Sequence, residues 1–423
     1  MVGSRVWISL PPLMAVGMLL SFGRSAFAQS EQSEALGVMD RPRPEYDAKG
    51  IPLGGFRLFP TLDLAAAYDD NVRRLETGEA DWYFLETPAA RLQSQWGRHF
   101  LEFYAGANNY NYTKATSLNL TDWDAGSDGR LDVIQGASIS SGGSYGEYHE
   151  PLYSPNTEGN QASPNRYQKS MANVTGTYAP DRVGISLGGQ FQRVSYDNAP
   201  LIGGGSIDNA DRDEDEYEGY LSGTYKFSPG YTAFVKFDYD TRHFDEFFDR
   251  TGAHRDSIGY RVTGGLNLQL SHLLTGEISA GYLEQHYDQH QAIYLPNAAG
   301  LDFGAQLDWY ATDLMTVHLS GGRYISDVVL AGASASDDKV VKLNADYEIL
   351  PNLIGQAYFS YDSSSLRGIS RTDNYPSAGI GTRYLMNEYL SANLMYNYSE
   401  RASNFPGADY TDNTLSLTVT GHI

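Results

Sequence analysis

The chain has 423 residues, no cysteine, 44 glycines and 32 tyrosines, and only 19% of it is charged. Thirty basic residues against 52 acidic ones give a formal charge of −22, which argues against nucleic acid, whose phosphates need cations. Without cysteine there is no disulfide framework, and no stretch after the first 28 residues approaches the ~18 apolar residues of a membrane-spanning helix.

The first 28 residues read as a signal. Arg5 lies in a short positive start, the apolar run LPPLMAVGMLLSFG follows, and Ala26-Phe27-Ala28 supplies a small-x-small cleavage pattern. Residues 29–55 lack periodicity and carry Pro42, Pro44 and Pro52, so they read as a periplasmic N-terminal tail that plugs the mouth, docks a partner or serves as a bare linker.

From Phe56 to Ile423 apolar and polar residues alternate with a period of two, the pattern of strands with unlike faces. In residues 215–240, Tyr217, Leu221, Tyr225 and Phe227 share one face, with Glu216, Glu218, Ser222 and Lys226 opposite. After Ser228-Pro229-Gly230 the alternation resumes with Tyr231, Val235, Phe237 and Tyr239. Such runs last about a dozen residues, beyond the usual strand of about five or six.

Tight turns are expected at 96–98, 134–136, 180–182, 228–230, 271–273, 311–313, 350–352 and 385–387. Longer polar connections fall at 69–81, 114–119, 151–165, 197–213, 244–255, 288–299, 327–336, 365–371 and 402–409. Eight short turns alternating with nine long loops predict an all-β fold: a transmembrane antiparallel up-and-down β-barrel of about 18 strands, with short periplasmic turns and longer extracellular loops. Closure removes the sheet edges that lipid does not tolerate. The lipid face includes Leu101, Phe103, Val183, Ile185, Leu187, Val262, Phe303, Leu319, Leu394 and Leu417. Trp82, Trp96, Trp123, Trp309, Tyr178, Tyr347, Tyr384 and Tyr398 gather near strand ends as interfacial girdles.

The opposite parity is the lumen. It carries Asp122, Asp124, Asp128, Arg130 and Asp132 on one strand, then Glu216, Glu218, Lys226, Lys236, Asp238, Asp240, Arg242, Arg261, Asp302, Asp308, Lys342, Asp346, Glu348 and Arg383. Such a wall suits hydrophilic solutes and, being acidic, favours cations; the alternative is that these charges pair across a closed interior. Tyr104, Tyr110, Tyr112, Tyr148, Tyr196, Tyr220, Tyr310, Tyr324 and Tyr358 share that parity. Their rings are platforms for sugars, or ordinary strand residues.

Other motifs are weaker. His286 and His290 could face one metal only at helical spacing, Asp211 to Glu216 lacks the glycine of a calcium loop, and Gly203-Gly204-Gly205-Ser206 has no P-loop lysine. No GxSxG occurs, so neither an enzyme nor a cofactor is expected.

Residues 40–72 carry a more specific signal: Arg41-Pro42-Arg43-Pro44-x-Tyr46, Gly50-Ile51, Gly55 followed by Pro60, and Tyr68-Asp69-Asp70-Asn71. The turn Leu92-Gln93-Ser94-x-Trp96-x-Arg98-His99, then Tyr110-x-Tyr112 and Asp122-Trp123, complete it. On these residues the chain resembles the putative β-barrel porin 2 family of outer-membrane proteins, common in alphaproteobacteria. The resemblance implies a barrel in the outer membrane, among lipid and lipopolysaccharide and inserted by the barrel-assembly machinery. Some members accompany exopolysaccharide or capsule synthesis, which implies polymer passage and a periplasmic polysaccharide-export partner. The expected function is a porin-like channel for hydrophilic cargo: a secreted polysaccharide first, small polar solutes or cations next. The alternatives are a closed structural or adhesive barrel that binds through its loops and, less favoured, an outer-membrane hydrolase.

Overall fold

The computed structural model describes residues 36–423 except 151–153, 158–160, 271–272 and 290–292. The expected signal at 1–28, the start of the tail, His290 and most of the turn at 271–273 lie outside the described residues.

Eighteen long strands follow one another. The first six are β1 (Phe56–Asp69), β2 (Asp81–Ser94), β3 (Phe100–Tyr112), β4 (Leu120–Ile134), β5 (Ala137–Glu150) and β6 (Asn165–Tyr178). Next come β7 (Val183–Tyr196), β8 (Glu214–Ser228), β9 (Tyr231–Phe244), β10 (Ser257–Leu270), β11 (Leu274–Tyr287) and β12 (Ala298–Thr312). The last are β13 (Met315–Asp327), β14 (Ala335–Leu350), β15 (Leu353–Arg367), β16 (Thr372–Leu385), β17 (Leu390–Ser403) and β18 (Tyr410–His422).

Each strand pairs antiparallel with its chain neighbours, and β18 returns to β1 from Thr61↔His422 to Asp69↔Thr414. The sheet is therefore closed, and backbone groups find partners around the ring instead of facing lipid. The period-two pattern sets the faces: Leu187, Val262, Phe303, Ile380 and Leu417 stand exposed on the outer wall. Trp82, Trp96, Trp123, Trp309, Tyr178, Tyr347 and Tyr384 are exposed with them.

The expected boundaries shift by a few residues. β12 runs through Ala311 and Thr312, so that turn is Asp313-Leu314, and β15 extends to Arg367 into the loop expected from 365. Ladder pairs hold these ends in the sheet, Thr312 with Met315 and Arg367 with Ala335. Within the expected tail, Ile51–Leu53 forms a short strand on the start of β1, from Ile51↔Leu58 to Leu53↔Phe56.

Two departures from a plain cylinder matter. Residues 36–49 turn back inside the end that carries the short turns. There Val38, fully buried, packs with Ile354 and Leu385 of the inner wall. At the opposite end the β12–β13 ladder stops at Gly304↔Gly322. Above that row β12 still pairs with β11, and β13 with β14. The upper end of β13 leans inward: Ile325 packs against Ala253, Tyr287, Leu295 and Ala298, and Asp327 reaches Arg242 on β9 at 2.5 Å.

Candidate functional site: the lumen and its two mouths

The strand register places the predicted charged residues on the inner wall, where most already have a partner. On β4, Asp122 meets His149 of β5 at 2.7 Å and Arg130 pairs with Asp132 at 2.8 Å. On β8 and β9, Lys236 pairs with Asp238, and Arg242 bridges Glu216 at 3.2 Å and Asp327. Arg261 lies 3.7 Å from Asp302, which also accepts from Thr263. His318 sits between Asp308 at 2.6 Å and Asp346 at 3.7 Å. Asp124, Asp128, Glu218, Lys226, Asp240, Lys342 and Arg383 share the inward parity of their strands. Half of these pairs join adjacent strands, as cross-strand neighbours on one face can; Arg130–Asp132 and Lys236–Asp238 lie within one strand, while Arg261–Asp302 and Arg242–Asp327 reach two and four strands away. They line the wall with alternating charge, leaving more carboxylates than cations.

The tyrosines divide into two groups. Some lie flat on the wall over glycine. A Cβ at Gly188 would come within 2.4 Å of the Tyr220 ring, and one at Gly126 within 2.5 Å of the Tyr104 hydroxyl. Tyr220 is further fixed by Thr175 at 2.7 Å and by Lys236 over its ring at 4.6 Å. These are wall residues packed into glycine-sized recesses, and Tyr324 is tied to Asp362 at 3.4 Å.

The others form rows. Tyr148, Tyr167 and Tyr196 are direct register partners on β5, β6 and β7. Their ring centres are 5.6 and 5.2 Å apart, and the Arg212 guanidinium lies 3.8 Å over Tyr196. On β2 and β3, Tyr83 touches Tyr112 at 5.2 Å and Tyr110 at 6.2 Å. Tyr83 and Tyr167 escaped the sequence reading, although strand parity marks both as inward. What makes them part of a row is the cross-strand register. Tyr310 is inward on β12, outside either row.

The loop mouth is stitched together. Glu150 and Arg212 form a two-pronged pair with both contacts at 3.0 Å, and Asn165 donates to Glu150 at 2.8 Å. Asp211 holds Arg250, and Asp249 holds Arg255, whose guanidinium donates to the carbonyls of Val328 and Ala333. Asn156 accepts from the Val329 amide at 2.9 Å. The acidic run 211–216 is therefore not one cation site: Asp211, Arg212 and Asp213 serve three different partners, Arg250, Glu150 and the Tyr196 amide. Burial raises the Asp211 and Asp249 carboxyls, but their arginines and hydrogen bonds outweigh it and hold both below the ordinary carboxylate value. His286 is engaged by Glu284 and Asn297.

The turn mouth holds the N-terminal segment. Arg43 and Arg41 both reach Glu348, at 2.8 and 3.2 Å. Arg43 also donates to the carbonyls of Pro351 and Val38, and the Val38 amide donates to Thr316 Oγ1. The arginine-proline run of residues 41–46 thus serves as an anchor on the inner wall.

A family model described as putative beta-barrel porin 2 matches residues 43–423. Among curated proteins nothing matches. Solved structures that resemble the chain include Pseudomonas aeruginosa OccK1 (OpdK), at 11% identity and a TM-score of 0.45, covering 86% of this chain and 99% of that one. Acinetobacter baumannii OccAB4 is similar at 10% identity and a TM-score of 0.46, over 89% and 99% of the two chains. P. aeruginosa OpdK, solved with vanillate, gives 11% and 0.47 over 86% and 99%.

Proposed function

The chain belongs to the putative beta-barrel porin 2 family, and from that premise we propose that it is a passive outer-membrane channel for hydrophilic cargo, with a neutral secreted polysaccharide favoured. The membership itself points to a porin-like outer-membrane barrel and to a channel in preference to an enzyme. The observation that carries the cargo is the row Tyr148–Tyr167–Tyr196 on the inner wall, ending in Arg212 and bordered by Asp122. Flat rings grip the apolar faces of sugars, and neighbouring carboxylates accept from their hydroxyls. The acidic excess of the wall disfavours an anionic polymer and leaves neutral chains, small polar solutes and cations.

In this reading residues 1–28 export the chain and the barrel-assembly machinery inserts it among lipid and lipopolysaccharide. A periplasmic polysaccharide-export protein delivers the polymer to the mouth where residues 36–49 lie. A second reading, a closed barrel that binds through its loops, is favoured by one observation: the loop mouth is held by buried ion pairs reaching Val328 and Ala333.

The test is single-channel conductance of refolded residues 29–423 in a planar bilayer, titrated with neutral oligosaccharides. Open, cation-preferring steps that sugars interrupt support the channel. A correctly folded barrel that stays silent, with and without residues 29–55, overturns the passive pore.

A further inference from the structure

The place where β13 leaves β12 changes the outside of the barrel as well as the lumen. Residues 299–303 keep β11 on one side and lack β13 on the other. The Arg323 side chain replaces the missing ladder: it donates to the carbonyls of Leu301 at 2.6 Å and Ala299 at 3.4 Å. A Cβ at residue 300 would stand 2.9 Å from that guanidinium, so glycine there makes the arrangement feasible.

The notch is level with outward-facing aromatic residues, Tyr282 of β11 and Tyr260 of β10. Leu301 pairs with Tyr282 and is 76% exposed, the most exposed large apolar side chain among the described residues. Val341, Tyr361 and Phe303 are exposed on the same outer face. Immediately above them are three cations of outward parity. Arg323 is the register partner of Lys339, and Arg367 comes from the end of β15. Asp337 pairs with both arginines, while Glu284 across the notch is engaged by His286. Three cations thus face the single carboxylate of Asp337, so positive charge is in surplus, and the buried Arg367 Nε has no hydrogen-bond partner.

We propose that this notch, between β12 and the β13–β15 edge, is a specific binding site for a phosphate-bearing acylated lipid of the outer leaflet. Its phosphate is held by Lys339 and Arg367 beside Arg323, and an acyl chain lies along Leu301, Phe303 and Val341. A phosphate supplies the missing anion and the strong acceptors that guanidinium groups match. The exposed apolar strip supplies the chain's contact surface. The site is independent of whether the lumen conducts.

The experiment refolds the protein into phosphatidylcholine vesicles containing a minor fraction of phosphatidic acid with a photoactivatable acyl chain, then maps labelled peptides by mass spectrometry. Labelling is expected to concentrate on peptides containing 299–303 and 339–343. It should fall about tenfold or more in Lys339→Gln/Arg367→Gln, since each cation at the headgroup layer is a separate attraction. Arg323 is left intact because it satisfies the β12 carbonyls, and heat-modifiable migration checks that the variant is folded. Labelling spread evenly over other outer strands, or unchanged in the folded variant, overturns the proposal. Labelling abolished by millimolar inorganic phosphate overturns it too, because free phosphate would then be the ligand.

Discussion

Arg212 and Glu150 meet at 3.0 Å through both pairs of atoms, with 5% and 1% of their side chains exposed. One comes from the loop between β7 and β8, the other from the last residue of β5, so the contact ties a loop to the rim three strands away. Breaking a buried pair from one side leaves an uncompensated charge, at a cost of about 3–5 kcal/mol. Glu150→Gln is therefore expected to destabilise the barrel rim by that amount in urea unfolding from micelles, whereas Glu147→Gln, a partly exposed pair with Arg166, should cost about 1 kcal/mol or less.

The loop-mouth arginines also predict a pH dependence. Asp211 and Asp249 titrate below the unfolded carboxylate value of about 3.9. Depressed folded values mean that their stabilisation is complete above that unfolded value and is lost as pH falls through the folded ones. Amide-exchange protection of residues 245–256 should be flat from about pH 8 to pH 5 and collapse only in stronger acid. A loss beginning near neutrality would assign the hold on these loops to other groups.

Glu348 is the common acceptor of Arg41 and Arg43. Glu348→Ala is expected to release residues 36–49 from the turn mouth, making a cysteine at Val38 reactive to a periplasmic thiol reagent. Unitary conductance should rise in parallel. A labelled Val38→Cys without any conductance change would show that the segment lines the mouth and does not restrict it.

If sugars travel along the tyrosine row, removing its middle ring should shorten each encounter. Tyr167→Ala is expected to reduce oligosaccharide residence time about threefold to tenfold, the worth of one aromatic contact. The wall residue Tyr104 serves as a comparison, since it lies outside the row. Equal effects from both would leave the row without a special role.

Gly188 is where the wall has no room. Gly188→Val would drive a side chain into the Tyr220 ring. Overpacking of this kind costs about 1–3 kcal/mol, readable as a lower temperature of heat-modified migration.

The barrel is legible in the chain alone. An unbroken period of two, punctuated by alternating short and long polar gaps, dictates both the number of strands and which side chains meet lipid, because neighbouring residues of a strand must point to opposite faces. Parity likewise assigned Asp122, Glu216 and Arg242 to the lumen. Tertiary structure decided which of them meet. That Arg242 reaches Asp327 four strands away, or that Arg212 lies over Tyr196, depends on loops folding inward and on cross-strand register, neither of which leaves a local signal. The same holds for Val38 buried on Ile354 and for Arg323 filling the gap beside Leu301. Alternation is a property of adjacent residues. Mouths, rows and notches are made by residues far apart in the chain, brought together only when the sheet closes.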